Sequence, residues 1–282
     1  MSSRHSSRTR RALVQMDLAF WYLHAHFAQL AALAAPTILA VCAIGAVIVA
    51  VLQTWDLHPF LLYVLFAILV PTVVLWVGTF LPLPSAVFAW RRASGSLPET
   101  GECFRYCLSR SGRLVPVAVK LFFAYLLWFT FFGVPLLYFG PRTCAAPAVA
   151  LFEKERRIFY RSRRLLKEDI AINVLAALYF AIFLALALLL FLPRILLSAQ
   201  GRLVASSLSK QVLDHLWIVE LVGVALLISG IAVGWCISMT LLYREVRMVR
   251  EGEPLREKLE QLRQELLGGQ STNAALPTGT SR

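Results

Sequence analysis

Apolar residues run almost without interruption over 30–53, 60–82, 170–193 and 213–242. Each run reaches the roughly 20 residues that carry a helix across a bilayer. The runs are continuous and do not alternate with period two, so they predict helices and exclude a transmembrane β-barrel. A further apolar region, 114–152, is longer and broken by Gly133, Pro135, Gly140, Pro141 and Pro147, with Arg142 inside it. Amphipathic segments with adjacent aromatic and basic positions precede several of these runs.

Charge decides how the broken region is read. The 282 residues are 59% hydrophobic and 16% charged, with a formal net charge of +12, and mean hydropathy is +0.68. A soluble domain of this size exposes far more charge. The basic residues cluster before the first run (Arg4, Arg8, Arg10, Arg11) and within 91–113, 154–167 and 244–263. That placement in alternate loops is the positive-inside pattern of a membrane protein and argues against a nucleic-acid partner. A single crossing between 113 and 154 would push one basic cluster to the outer side. Two crossings, over 114–132 and 134–152, remove the conflict and predict six spans with both termini cytoplasmic. The breaks in the returning span are tolerated where protein surrounds the backbone groups they release.

An internal repeat is consistent with three hairpins. One register aligns Phe20-Trp21-Tyr22 with Phe104-Arg105-Tyr106 and Ile158-Phe159-Tyr160. It also aligns His26 with Arg110 and Arg164, Gln29 with Arg113 and Lys167, and Tyr125 with Tyr179. Each copy would be an amphipathic elbow helix at the cytoplasmic surface followed by two spans. The predicted fold is therefore an all-α polytopic bundle of six transmembrane helices with elbow helices. Its expected parts are a basic cytoplasmic N-terminus (1–11), the membrane domain (12–243), a cytoplasmic amphipathic helix (244–267) opened by Pro254, and a disordered tail (268–282). Leu255, Leu259, Leu262 and Leu266 give that last helix an apolar stripe, too short for a confident coiled coil.

Charged residues inside spans are the first functional candidates. Arg142 and Glu220 fall at matching depths, which predicts an ion pair within the bundle. Arg110, Arg113, Arg163, Arg164 and Lys167 lie on the elbows, where they would meet anionic lipid headgroups. Lys120 can snorkel to the inner surface, and Asn173 reads as a helix–helix hydrogen bond. The five cysteines lack disulfide or zinc spacing, with Cys103 and Cys107 one turn apart in a reducing compartment. His24 and His26 would point away from each other on a helix. No catalytic or nucleotide-binding motif is present, so neither enzyme activity nor a cofactor nor a metal is expected. The polar residues Asp17, His24, His26 and Gln29 also argue against a cleaved signal peptide.

Arg142, then Ala146-Pro147-Ala148, then Glu153 and the elbow Ser162-Arg163-Arg164-Leu165 resemble the membrane domain of bacterial glycerophosphoryl diester phosphodiesterases. Tyr243, Glu245, Arg247 and Glu251-Gly252 match the end of that domain. Lys154 stands where the family usually has glycine, and the elbow lacks the family's tryptophan. No counterpart of the phosphodiesterase domain occurs in these residues, so the resemblance implies a six-span fold in the bacterial inner membrane and no hydrolysis. The expected function is non-enzymatic: lipid interaction or scaffolding of a protein partner through 254–267. The alternative is transport along a polar path around Arg142 and Glu220.

Overall fold

A computed structural model describes residues 2–54, 77–130, 143–154, 156–166, 170–201 and 207–273. The named elements are helices: α1 (Ser2–Ala25), α2 (Phe27–Thr54), α3 (Leu83–Ala93), α4 (Thr100–Ser109), α5 (Ser111–Thr130), α6 (Ala146–Phe152), α7 (Ile158–Leu166), α8 (Ile170–Gly201) and α9 (Ser207–Asn273). No strand occurs among the described residues. The chain divides after Leu242 into two compact units.

In the first unit, α2 and α8 are long and apolar enough to cross a membrane, over Phe27–Ile48 and Ala171–Leu190. A third such stretch, Ile218–Val249, lies in α9. The expected span at 114–132 is helical over its described part, as α5. Of the spans expected at 60–82 and 134–152, residues 60–76 and 134–142 lie outside the described residues.

Two of the three elbows are built alike. His26 makes a turn between α1 and α2, yet its N–H bonds to the Tyr22 carbonyl and its own carbonyl accepts from Leu30. Arg110 does the same between α4 and α5, bonding to Cys107 and accepting from Leu114. The helical ladder thus passes through each elbow without stranding backbone groups. The spans then bury equivalent positions: Leu33, Ala34, Thr37 and Val41 in α2; Val117, Ala118, Leu121 and Tyr125 in α5; Ala171, Ile172, Leu175 and Tyr179 in α8.

The third elbow departs from the predicted register. Arg164 lies inside α7 rather than at a turn, and Tyr160, aligned with the buried Tyr22, is 64% exposed. Ser162, Leu165 and Leu166 take the buried places instead, because α7 ends beyond Arg164 and its apolar residues must meet the core.

The core joins Leu30 and Leu33 of α2, Phe88 of α3, Cys103 of α4, Leu121 of α5 and Ile237 of α9. Outward positions of the spans are also apolar: Leu39 and Phe180 are 70% and 65% exposed. A water-soluble bundle would place polar residues there, whereas lipid matches them.

The long helix α9 packs by register within the first unit. A side chain at Gly45 would strike Leu221, and Val41 shares a buried cluster with Ala225, so α2 and α9 run antiparallel. A Cβ at Gly223 would lie 2.7 Å from Leu190, and one at Gly234 would lie 3.1 Å from the Tyr179 hydroxyl, which fixes α8 antiparallel to α9.

The second unit contains the remainder of α9. The structure corrects the expectation of a separate helix opened by Pro254: α9 continues through Pro254 and past Leu267 to Asn273. One proline removes one backbone bond, and the surrounding Arg, Glu, Lys, Gln and Leu residues are strong helix formers. Leu259 of the predicted stripe is exposed.

Candidate functional site: a basic aromatic corner around Glu153

The conspicuous polar assembly forms where α3, α4, α6 and α7 meet the start of α5. Its geometry begins with a tight reversal after α3. Gly95 adopts φ +87°, a left-handed conformation that closes a helix end, and its N–H bonds to the Arg92 carbonyl. The reversal lays α4 against α3, so that Arg91 Nη1 lies 2.7 Å from Glu102 Oε2.

The phrase Ala146–Phe152 forms the short helix α6. Pro147 occupies its first turn, where a missing N–H costs nothing. The small residues Ala146, Ala148 and Ala150 are buried, as are Val149 and Leu151. Phe152 stacks on Trp90 at 4.4 Å between ring centroids and faces Tyr106 at 6.4 Å. The Tyr106 hydroxyl donates to the Leu151 carbonyl at 3.2 Å, satisfying an acceptor at a helix end.

Glu153 caps this arrangement. Its N–H bonds back to Val149, and its carbonyl accepts 2.8 Å from Arg113 Nη1. Its carboxylate, 7% exposed, lies 3.0 Å from Arg161 Nε on α7. Three elements are thereby tied to one residue.

The electrostatics of the corner are cationic. The guanidiniums of Arg91 and Arg110 lie 5.8 and 5.6 Å from the centroid of Tyr106, within cation–π range. Arg110 has no carboxylate within ion-pair distance among the described residues. On α7 and just before it, Arg156, Arg157, Tyr160, Arg163 and Arg164 are exposed. Their spacing places them on one helical face, opposite Ser162, Leu165 and Leu166.

The expected lipid-contact residues thus separate into roles. Arg163 and Arg164 face outward, Arg110 packs over Tyr106, and Arg113 ties α5 to Glu153. Lys167 and Arg142 lie outside the described residues. Glu220 is buried in α9, at a depth within the apolar stretch Ile218–Val249. Asn173 is exposed on α8, which corrects its expected place between helices: it lies in the first turn, where a span meets polar surroundings. Sequence reasoning did not find Arg161 as the partner of Glu153, nor Arg91, Trp90 and Phe152 around Tyr106.

Among the described residues, no three His, Cys, Asp or Glu side chains come together as metal ligands. Cys103 and Cys107 lie beside the corner on α4. Burial pushes the Cys103 thiol up to about 11 and the Cys107 thiol up to about 12, from an ordinary 9.0. Both are therefore thiols, not thiolates, at neutral pH. Because the folded values are raised, their stabilising contribution is complete below about 9 and is lost as pH rises from there to about 11–12. Maleimide labelling at pH 7 should be slow at both sites and become rapid in sodium dodecyl sulfate. Rapid labelling of Cys103 in the folded protein would contradict its burial.

No family model matches this chain, and no curated protein or solved structure is significantly similar to it. What the described residues define is a class: a helical membrane protein in which three of the described helices are long and apolar enough to span a bilayer.

Proposed function

We propose that this chain is a non-enzymatic, six-span protein of a bacterial inner membrane, both termini cytoplasmic, that holds anionic lipid headgroups at the corner around Glu153. The carrying observation is the excess of guanidinium over carboxylate there. Arg91, Arg110, Arg113 and Arg161 surround Glu102 and Glu153, with Tyr106 between two of the cations. The exposed basic face of α7 extends that surface. Arginine suits phosphate because its planar fork donates two hydrogen bonds at once, and tyrosine suits the headgroup boundary.

The likeness of 138–167 and 243–252 to the phosphodiesterase membrane domain supports the same placement. Its proline-alanine phrase and glutamate correspond to α6 and the Glu153 cap, a structural device with no hydrolytic group in it. A second reading, transport along a polar path including an Arg142–Glu220 pair, draws on the burial of Glu220 within an apolar stretch. A protein partner on 254–267 is compatible with either.

The test is lipid retention by the intact protein, measured by native mass spectrometry from mixed anionic and zwitterionic bilayers. Anionic lipid should be enriched. Each basic residue near an anionic surface contributes about 1 kcal/mol. The triple variant Arg110→Gln, Arg163→Gln, Arg164→Gln should therefore lose most of that enrichment while remaining monodisperse. Unchanged enrichment in the folded triple variant would refute the lipid reading.

A further inference from the structure

Among the described residues, buried hydroxyls are, with two exceptions, satisfied by protein partners. Ser85 donates to the Pro82 carbonyl at 2.5 Å. Thr240 donates to the Cys236 carbonyl one turn back, at 2.7 Å. Ser238 and Tyr179 bond to each other at 2.8 Å, and Ser162 also has a partner. The exceptions are Thr37 and Ser229, 0% and 1% exposed, whose hydroxyl oxygens have no hydrogen-bond partner among the described residues. Neither makes the bond to the preceding turn that a serine or threonine in a helix readily makes.

The two exceptions stand at the same level. Gly45 meets Leu221, and Val41 shares a cluster with Ala225. One helical turn further along each of these antiparallel helices come Thr37 and Ser229. Thr37 also lies inside the apolar stretch Phe27–Ile48.

We infer that Thr37 and Ser229 form a binding site for a water molecule between α2 and α9. Two buried hydroxyls give oxygen partners of the kind that a buried water takes, typically two to four in number. They are too few for a hard cation, which takes about six oxygens. The site is separate from the lipid-binding corner and does not rest on it.

The experiment is water-edited solid-state nuclear magnetic resonance on the full chain in lipid bilayers. Magnetisation from water should reach Thr37 and Ser229 early, and reach Val41 and Ala225, one turn along the same seam, late or not at all. The transfer should disappear from both positions in the double variant Thr37→Val, Ser229→Ala. Thermal unfolding provides the second readout, because each single variant strands the remaining partner and the double variant does not. The double variant should therefore unfold no earlier than either single one. Absence of early transfer at both residues would overturn the site. Coupling between the two substitutions without water transfer would also overturn it, in favour of a direct hydroxyl–hydroxyl bond.

Discussion

Arg161→Ala is expected to lower the thermal midpoint of the detergent-solubilised protein by roughly 4–8 °C, given about 2–4 °C per kcal/mol for a protein of this size. The reasoning starts from Glu153, whose carboxylate is 7% exposed and lies 3.0 Å from Arg161 Nε. Removing one partner of a buried pair costs roughly 3–5 kcal/mol, because a desolvated charge is left behind. Arg161 is itself 21% exposed, so water compensates part of the loss and about 2 kcal/mol is the expected cost. The comparison that isolates the pair is the double variant Glu153→Gln, Arg161→Met. Removing both charges together leaves no stranded carboxylate and should recover most of the midpoint. If Arg161→Ala alone unfolds at the wild-type temperature, Glu153 does not organise the corner. The variant should also loosen α7, since this pair joins that helix to the end of α6, while Arg113 continues to hold the Glu153 carbonyl.

This pair shows where sequence reading stops. The phrase Pro147-Ala148-Val149-Ala150-Leu151 followed by Glu153 is legible as a motif, because small residues, a proline and an acid closing an apolar run are local signals. Its partner is not legible. Arg161 is one of many basic residues in 154–167, and only the packing of α7 beside the end of α6 decides which guanidinium reaches back. The spans of α2, α8 and α9 were readable for the opposite reason: apolar length alone carries the signal. Register within the elbows was half-readable. His26 and Arg110 occupy equivalent turns as their alignment predicted, but the third elbow shifted because burial of Leu165 and Leu166 outweighs aromatic likeness. Thr37 and Ser229 were invisible as a pair, since nothing in either local sequence indicates that two helices place them at one level. The continuity of α9 through Pro254 was missed by weighting one proline above a long run of helix formers.

Gly234→Leu carries the other large expected effect. Gly234 lies where α8 crosses α9, and even a single Cβ there would come 3.1 Å from the Tyr179 hydroxyl and 3.2 Å from its ring carbon Cε1. Tyr179 cannot easily retreat. It is 5% exposed, its hydroxyl is bonded to Ser238 at 2.8 Å, and its ring meets Trp235 edge-on at 5.7 Å. Alanine should be nearly neutral. Its gain in helix propensity over glycine, about 1 kcal/mol, offsets a displacement of a few tenths of an ångström. Leucine forces the two helices apart, and overpacking of this kind costs roughly 3 kcal/mol. It also breaks the Tyr179–Ser238 bond, for about 1 kcal/mol more. Tyr179→Phe removes that bond without the steric load and should lose only the smaller amount. The ordering of thermal midpoints should therefore be wild type close to Gly234→Ala, then Tyr179→Phe, then Gly234→Leu well below. A Gly234→Leu protein as stable as wild type would mean that α8 and α9 do not pack at this crossing. Apolar side chains alone tolerate many helix registers in lipid, where there is no hydrophobic drive to hold helices together. The close approach at Gly234 selects the register in which Tyr179 finds Ser238.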